Sequence, residues 1–179
     1  IGGSICWNYV ASCIPAVVLG LNGTLHLAMS DGTKRELAAA EFILGPFETA
    51  RADDEILLSI SWPKAPAKTG SAYKKWGLVT DALPVVGLCV SVSLDNGGRC
   101  ETARVAVAGL SRGAQLAPAG AAALIGTHGN EASIASAMES VAASLEVRSD
   151  RWADADYRRQ LIRSIGADVA ATAFRRARG

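Results

Sequence analysis

The sequence lacks any Cys-x-x-Cys pair. Its four cysteines, Cys6, Cys13, Cys89 and Cys100, are scattered, and its two histidines, His26 and His128, stand far from them. That spacing argues against a zinc or iron–sulfur site within the chain. Reduced, buried thiols in a cytoplasmic protein are the expectation instead. No apolar run approaches the roughly 20 residues that a membrane helix needs. Aromatic residues make up only 6% of the chain, and 18 basic residues nearly cancel 17 acidic ones. Without a basic stripe carrying interleaved aromatics, nucleic acid is not an expected partner. Internal repeats and low-complexity tracts are also missing.

What is there suits an ordinary globular protein. Half of the 179 residues are apolar and 20% are charged, enough for one domain or two small ones. The proline- and lysine-bearing stretch from Pro63 to Gly70 reads as a solvated linker between two pieces. In the first piece, Ile1-Gly2-Gly3-Ser4 reads as a glycine turn, because paired glycines allow positive φ and close approach. If that turn binds a ligand, half of the site lies upstream of it. Ile14 to Leu21 suits a short buried helix. Thr24 to Met29 alternates as a strand, Asp31-Gly32 signals a hairpin, and Asp54 to Trp62 is a strand that ends at Pro63.

In the second piece, Ser71 to Val79, Val85 to Leu94 and Ala103 to Gly109 read as three strands of an antiparallel meander. Val86, Leu88, Val90, Val92 and Leu94 share one face. Three helices follow. One opens near Pro118, and one runs from about Glu131 with Asn130 as its N-cap. The last runs from about Ala153 to Arg176, with Tyr157, Leu161, Ile165, Val169 and Ala173 as its apolar stripe. The expected class is α+β, a three-stranded antiparallel sheet packed on a three-helix bundle in residues 71–179.

Four features could carry chemistry. Gly109-Leu110-Ser111-Arg112-Gly113 fits the nucleophile-elbow pattern of serine hydrolases, but that motif needs a strand-to-helix elbow with Asp and then His downstream. Here His128 precedes Asp150, so a turn leaving a strand is the better reading. Asp53-Asp54-Glu55 is expected to be a solvated turn, since sequence neighbours on a strand point in different directions. Tyr73-Lys74-Lys75-Trp76 reads as an edge strand kept soluble by lysine, with a cofactor-facing cation as the sharper alternative. In Asp156-Tyr157-Arg158-Arg159 the aspartate suits a helix start, the tyrosine is expected to face the core, and the arginines are expected to pair.

Taken in order, these pieces resemble a known family. The segments are Ile1-Gly2-Gly3-Ser4, Ser12 with Pro15, and Gly45-Pro46-Phe47-Glu48-Thr49. They continue through Asp54 to Ile60, Ser71 to Trp76, Asp81-Ala82-Leu83-Pro84 and Ala103 to Ala106, and end at Asp156 to Arg159. Their order and spacing are similar to those of the FAD-binding (medium) subunit of molybdenum hydroxylases, the xanthine dehydrogenase and carbon monoxide dehydrogenase family. The resemblance implies a partial FAD-binding subdomain of the PCMH or vanillyl-alcohol-oxidase type in residues 1–63, and a CO dehydrogenase flavoprotein-type C-terminal domain in 71–179. It implies FAD as cofactor. It also implies a large partner subunit with the molybdenum cofactor, a small partner subunit with iron–sulfur clusters, and NAD, oxygen or another acceptor.

By the same resemblance, Ile1, Gly2, Gly3 and Ser4 would approach the FAD phosphates or ribityl chain, with Ser12 and Cys13 nearby. Ile56 and Leu57 would pack against the flavin ring, Lys74 would lie at its polar edge, and Asp81 would sit on an adjacent loop. Ser4 stands where the family often has asparagine, and Cys13 where it commonly has aspartate, which removes one expected hydrogen bond to FAD. The family's first glycine-rich loop would precede Ile1, so the 179 residues alone are expected to retain FAD weakly or not at all. The competing reading is a non-catalytic scaffold that binds partner subunits.

Overall fold

The computed structural model describes residues 1–79 and 82–179. Helices α1 (Gly2–Trp7) and α2 (Cys13–Gly20) come first. Gly2-Gly3 is therefore the first turn of a helix and not the tight glycine turn the sequence suggested. Fully buried Ile5 anchors that helix in the core. Asn8 ends it in the left-handed conformation that asparagine tolerates, at φ 42°. Three antiparallel strands follow in the order β2-β1-β5, where β1 is Thr24–Met29, β2 is Lys34–Ala38 and β5 is Glu55–Ser61. Between β2 and β5 lie the single turn α3 (Ala39–Phe42) and the small hairpin β3 (Ile43–Gly45) and β4 (Glu48–Thr49).

The second sheet is antiparallel with the order β6-β7-β8-β9, built from β6 (Thr69–Trp76), β7 (Val86–Leu94), β8 (Cys100–Leu110) and β9 (Gly113–Leu116). The expected three-strand meander thus gains a short fourth strand. Gly109-Leu110-Ser111-Arg112-Gly113 creates it. Leu110 pairs with Gly113 across Ser111-Arg112, and Gly109 and Gly113 take φ values of 88° and 75°. A strand-to-strand hairpin stands where a hydrolase needs a strand-to-helix elbow, which removes the hydrolase reading.

Helices α4 (Pro118–Leu124), α5 (Glu131–Ser144) and α6 (Ala155–Arg178) cover one face of this sheet. Asn130 Oδ1 caps α5 by accepting from Ser133 N at 2.9 Å, and Asp154 Oδ1 caps α6 by accepting from Tyr157 N at 2.7 Å. The apolar stripe of α6 begins at Arg158, not Tyr157. Arg158 is buried with Leu161, Ile162, Ile165 and Val169. Tyr157 lies at the sheet edge, where its hydroxyl accepts from Trp76 Nε1 at 3.0 Å.

The opposite face of the same sheet is covered by α2. Side chains alternate along a strand, so β7 feeds two cores at once. Val86, Leu88, Val90 and Val92 enter the helix-side core. Cys89 joins Ala106 and Ala108 of β8 in a second core with Ile5, Val18, Leu19, Leu25 and Leu27 from the first piece. The proline-rich connector, though exposed as expected, does not keep the two pieces apart.

Candidate functional site

The start of α1 and strand β5 share a surface. A methyl group added at Gly2 would lie 3.9 Å from Leu57 Cδ2, and one added at Gly3 would meet nothing within 4 Å. Ile1, which precedes these glycines, is 77% exposed, and Ile56, which precedes Leu57 on the strand, is 62% exposed. Ile1 caps α1 without any side-chain hydrogen bond, and the first backbone bond within α1 runs from Ile5 N to Ile1 O at 3.2 Å. The N–H groups of Gly2, Gly3 and Ser4 have no intrahelical acceptor, as at any helix start. Glycines, free donors and Leu57 therefore meet, although 55 positions separate Gly2 from Leu57, while Ile56, the preceding residue of the strand, points to the other face of the sheet and does not form one ridge with it.

Ser12 is buried and precedes Cys13, the first residue of α2. Cys13 is half-buried and lies beside Tyr73 of β6. Burial, and then the Cys13 thiol, push the Tyr73 phenol upward. The Tyr73 hydroxyl has no hydrogen-bond partner among the described residues. Lys74 sits on the other face of β6, where its Nζ meets Asp168 Oδ2 of α6 at 2.8 Å. Strand alternation puts Lys75, not Lys74, on the face of Tyr73 and α2, and its Nζ donates to Ala82 O at 2.9 Å. Asp81 lies outside the described residues.

The Asp53-Asp54-Glu55 cluster divides. Asp53 and Asp54 are exposed, but Glu55 is buried and is not part of a solvated turn. Arg35 Nε and Nη2 reach its two carboxylate oxygens at 2.5 and 2.7 Å, and Ala52 N adds a third bond. The guanidinium first, and then the Ala52 amide, hold the Glu55 carboxyl down to about 2. This group closes the loop before β5 and so fixes where Ile56 and Leu57 emerge.

Arg158 makes the structural ion pair expected of it, with Asp150, and is also a hub for two backbone carbonyls that the sequence did not show. Its Nη1 donates to Val85 O and, at 2.7 Å, to Gly109 O, while Nη2 meets Asp150 Oδ2 at 2.7 Å. Burial works to raise Asp150, but the Trp152 and Ala153 amides and Arg158 together hold it below the usual carboxylate range. The available signal was an arginine in phase with Leu161, Ile162 and Ile165 on an amphipathic helix. Beside this hub lies a cavity of about 430 Å³ at the β6–β7 end of the sheet.

Two family models match this chain. Residues 1–65 match the FAD binding domain in molybdopterin dehydrogenase, and residues 71–173 match the CO dehydrogenase flavoprotein C-terminal domain. Subunit alpha of the 6-hydroxypseudooxynicotine dehydrogenase complex of Paenarthrobacter nicotinovorans is 26% identical over 99% of this chain and 60% of its own length. The nicotine 6-hydroxylase medium subunit of the same organism is 28% identical over 92% of this chain and 57% of its own length. A solved carbon monoxide dehydrogenase chain from Hydrogenophaga pseudoflava superposes with a TM-score of 0.90 at 26% identity, over 98% of this chain and 60% of that one. The chain thus spans about 60% of the length of the curated relative it matches over 99% of its own. With both models matched in order and the fold shared, the chain belongs to the FAD-binding, medium-subunit family of molybdopterin dehydrogenases.

Proposed function

We propose that this chain is part of the FAD-binding subunit of a molybdenum-dependent oxidoreductase and serves electron transfer, not substrate hydroxylation. The observation that carries the reading is the 3.9 Å approach between the Gly2 position and Leu57, which gives the glycine segment and Leu57 one surface. The residues fit a flavin dinucleotide there. Gly3 leaves open space for close approach, the amides of Gly2, Gly3 and Ser4 are free to face a phosphate or ribityl oxygen, and Leu57 offers an apolar wall. FAD would supply the redox chemistry, taking electrons from iron–sulfur clusters on a small partner subunit and yielding them to NAD, oxygen or another acceptor.

The chain's own residues bind and orient. Ser12 and Cys13 lie at the start of α2 beside Tyr73, and Lys75 shares their side of the sheet. In this reading Lys75 takes the polar-edge role that resemblance gave to Lys74, because Lys74 is turned to Asp168. Cys13 in place of a carboxylate supplies a weaker hydrogen-bonding group.

The test uses the full-length protein that contains this chain. Flavin absorbance should show one FAD per subunit, and Gly3→Val and Leu57→Asp should each lower FAD content severalfold while co-purification with the partner subunits persists. NADH bleaching the flavin would assign NAD as acceptor. A full-length protein that assembles with its partners yet never holds flavin would replace this reading with the scaffold.

A further inference from the structure

We propose that the cavity beside Arg158 is a second binding site, for a small planar aromatic anion such as an aromatic carboxylate. It is distinct from the glycine–Leu57 surface, since none of Ile1–Ser4, Ile56 or Leu57 lines it. At about 430 Å³ it falls in the size range of pockets that enclose small molecules, roughly 300–1,000 Å³.

Two properties define what fits. The walls are apolar, with Val10 and Val85 buried at the floor and Val79 and Leu83 exposed at the sides. The indole of Trp152, 55% exposed, offers a flat face. The charge is positive among the described lining residues, where Arg148, Arg151 and Arg158 stand against the one carboxylate of Asp150. That carboxylate is already engaged by Arg158 at 2.7 Å, Arg148 at 3.4 Å, and the Trp152 and Ala153 amides. Arg151 lies 4.5 Å over the Trp152 ring, with no ion pair among the described residues. Arg158, only 2% exposed, keeps an unmatched Nε–H among the described residues. An apolar slot with surplus guanidinium charge at one end selects a flat hydrophobe bearing one negative group. It rejects cations.

Calorimetric titration of naphthoate, with naphthylmethanol as the neutral analogue, reads this directly. The wild-type chain should bind naphthoate saturably at one site and more tightly than the alcohol. Arg151→Gln, at an exposed residue that makes no hydrogen bond or ion pair among the described residues, should weaken naphthoate about tenfold and leave the alcohol unchanged. Ala11→Met, which fills the cavity, should weaken both. Circular dichroism checks that each variant is folded. Absence of saturable binding to the wild-type chain overturns the proposal. So does naphthoate binding that both variants leave intact, or that FAD displaces.

Discussion

The two faces of the β6–β9 sheet carry different side chains. Towards the helices, β7 presents Val86, Leu88, Val90 and Val92. Towards α2, β7 and β8 present Cys89, Ala106 and Ala108. Large residues interdigitate with the helices, and glycines such as Gly70 on β6 and Gly166 on α6 let α6 approach. A methyl at Gly70 would fall 2.1 Å from Ala173 O and 2.4 Å from Ala177 N. Small residues let α2 lie close, and a methyl at Gly20 would fall 2.5 Å from Cys89 Sγ. Side-chain size decides how near each partner sits, and so how firmly the first piece, with its glycine–Leu57 surface, is joined to the second.

The largest effect should come where the two faces meet. Arg158→Met leaves the buried Val85 and Gly109 carbonyls without this donor and takes from Asp150 the nearer of its two guanidinium partners, so it should cost about 3–5 kcal/mol. Urea unfolding would register this, and a loss below about 1 kcal/mol would reduce the hub to decoration. Next come the two glycines. Gly70→Ala meets helix backbone, which cannot yield, and should cost about 3 kcal/mol. Gly20→Ala meets a side chain and should cost about 1–2 kcal/mol. Cys89→Ala should recover part of the Gly20→Ala loss and none of the Gly70→Ala loss. A double-mutant cycle separates these, and equal recovery in both would break the contrast between the faces.

Thiol reactivity should follow the same division. Burial pushes the Cys89 thiol up to about 12 and Cys100 up to about 11, so both stay protonated at neutral pH. Alkylation of the native protein, followed by mass spectrometry, should modify half-buried Cys13 at least about tenfold faster than either. The smallest effect is the pH response of the β5 loop. The Glu55 carboxyl lies at about 2 in the fold, against an ordinary 4.5. Its contribution is therefore complete above the ordinary value and lost as pH falls from about 4.5 to about 2. Glu55→Gln should flatten acid-induced loss of stability across that window, and an unchanged acid profile would mean that the ion pair contributes nothing.

Much of the fold was legible because it rests on local chemistry. Alternation in Val86 to Leu94, the Asn130 cap and Pro118 at a helix start are each written in neighbouring residues. The two glycines of Gly109 to Gly113 were legible as a turn, but the return strand β9, only four residues long, was too short to show a period. The burial of Glu55, and the carbonyl contacts of Arg158 beyond its expected ion pair, were not legible for one reason. Each is a charged residue whose burial depends on a partner distant in sequence, Arg35 in one case and the Val85 and Gly109 carbonyls in the other. Lys74 and Lys75 could not be told apart until strand register fixed which one faces α6.

By itself the sequence determined the elements, the family resemblance and the residue types of the glycine–Leu57 surface, since hydrophobic period, caps and turns act over a few residues. Only the tertiary structure decided that α2 closes the back of the second sheet, that Gly2 meets Leu57, and that three arginines converge on one cavity. Those are contacts between segments tens of residues apart, and the packing of whole elements, not any local preference, brings them together.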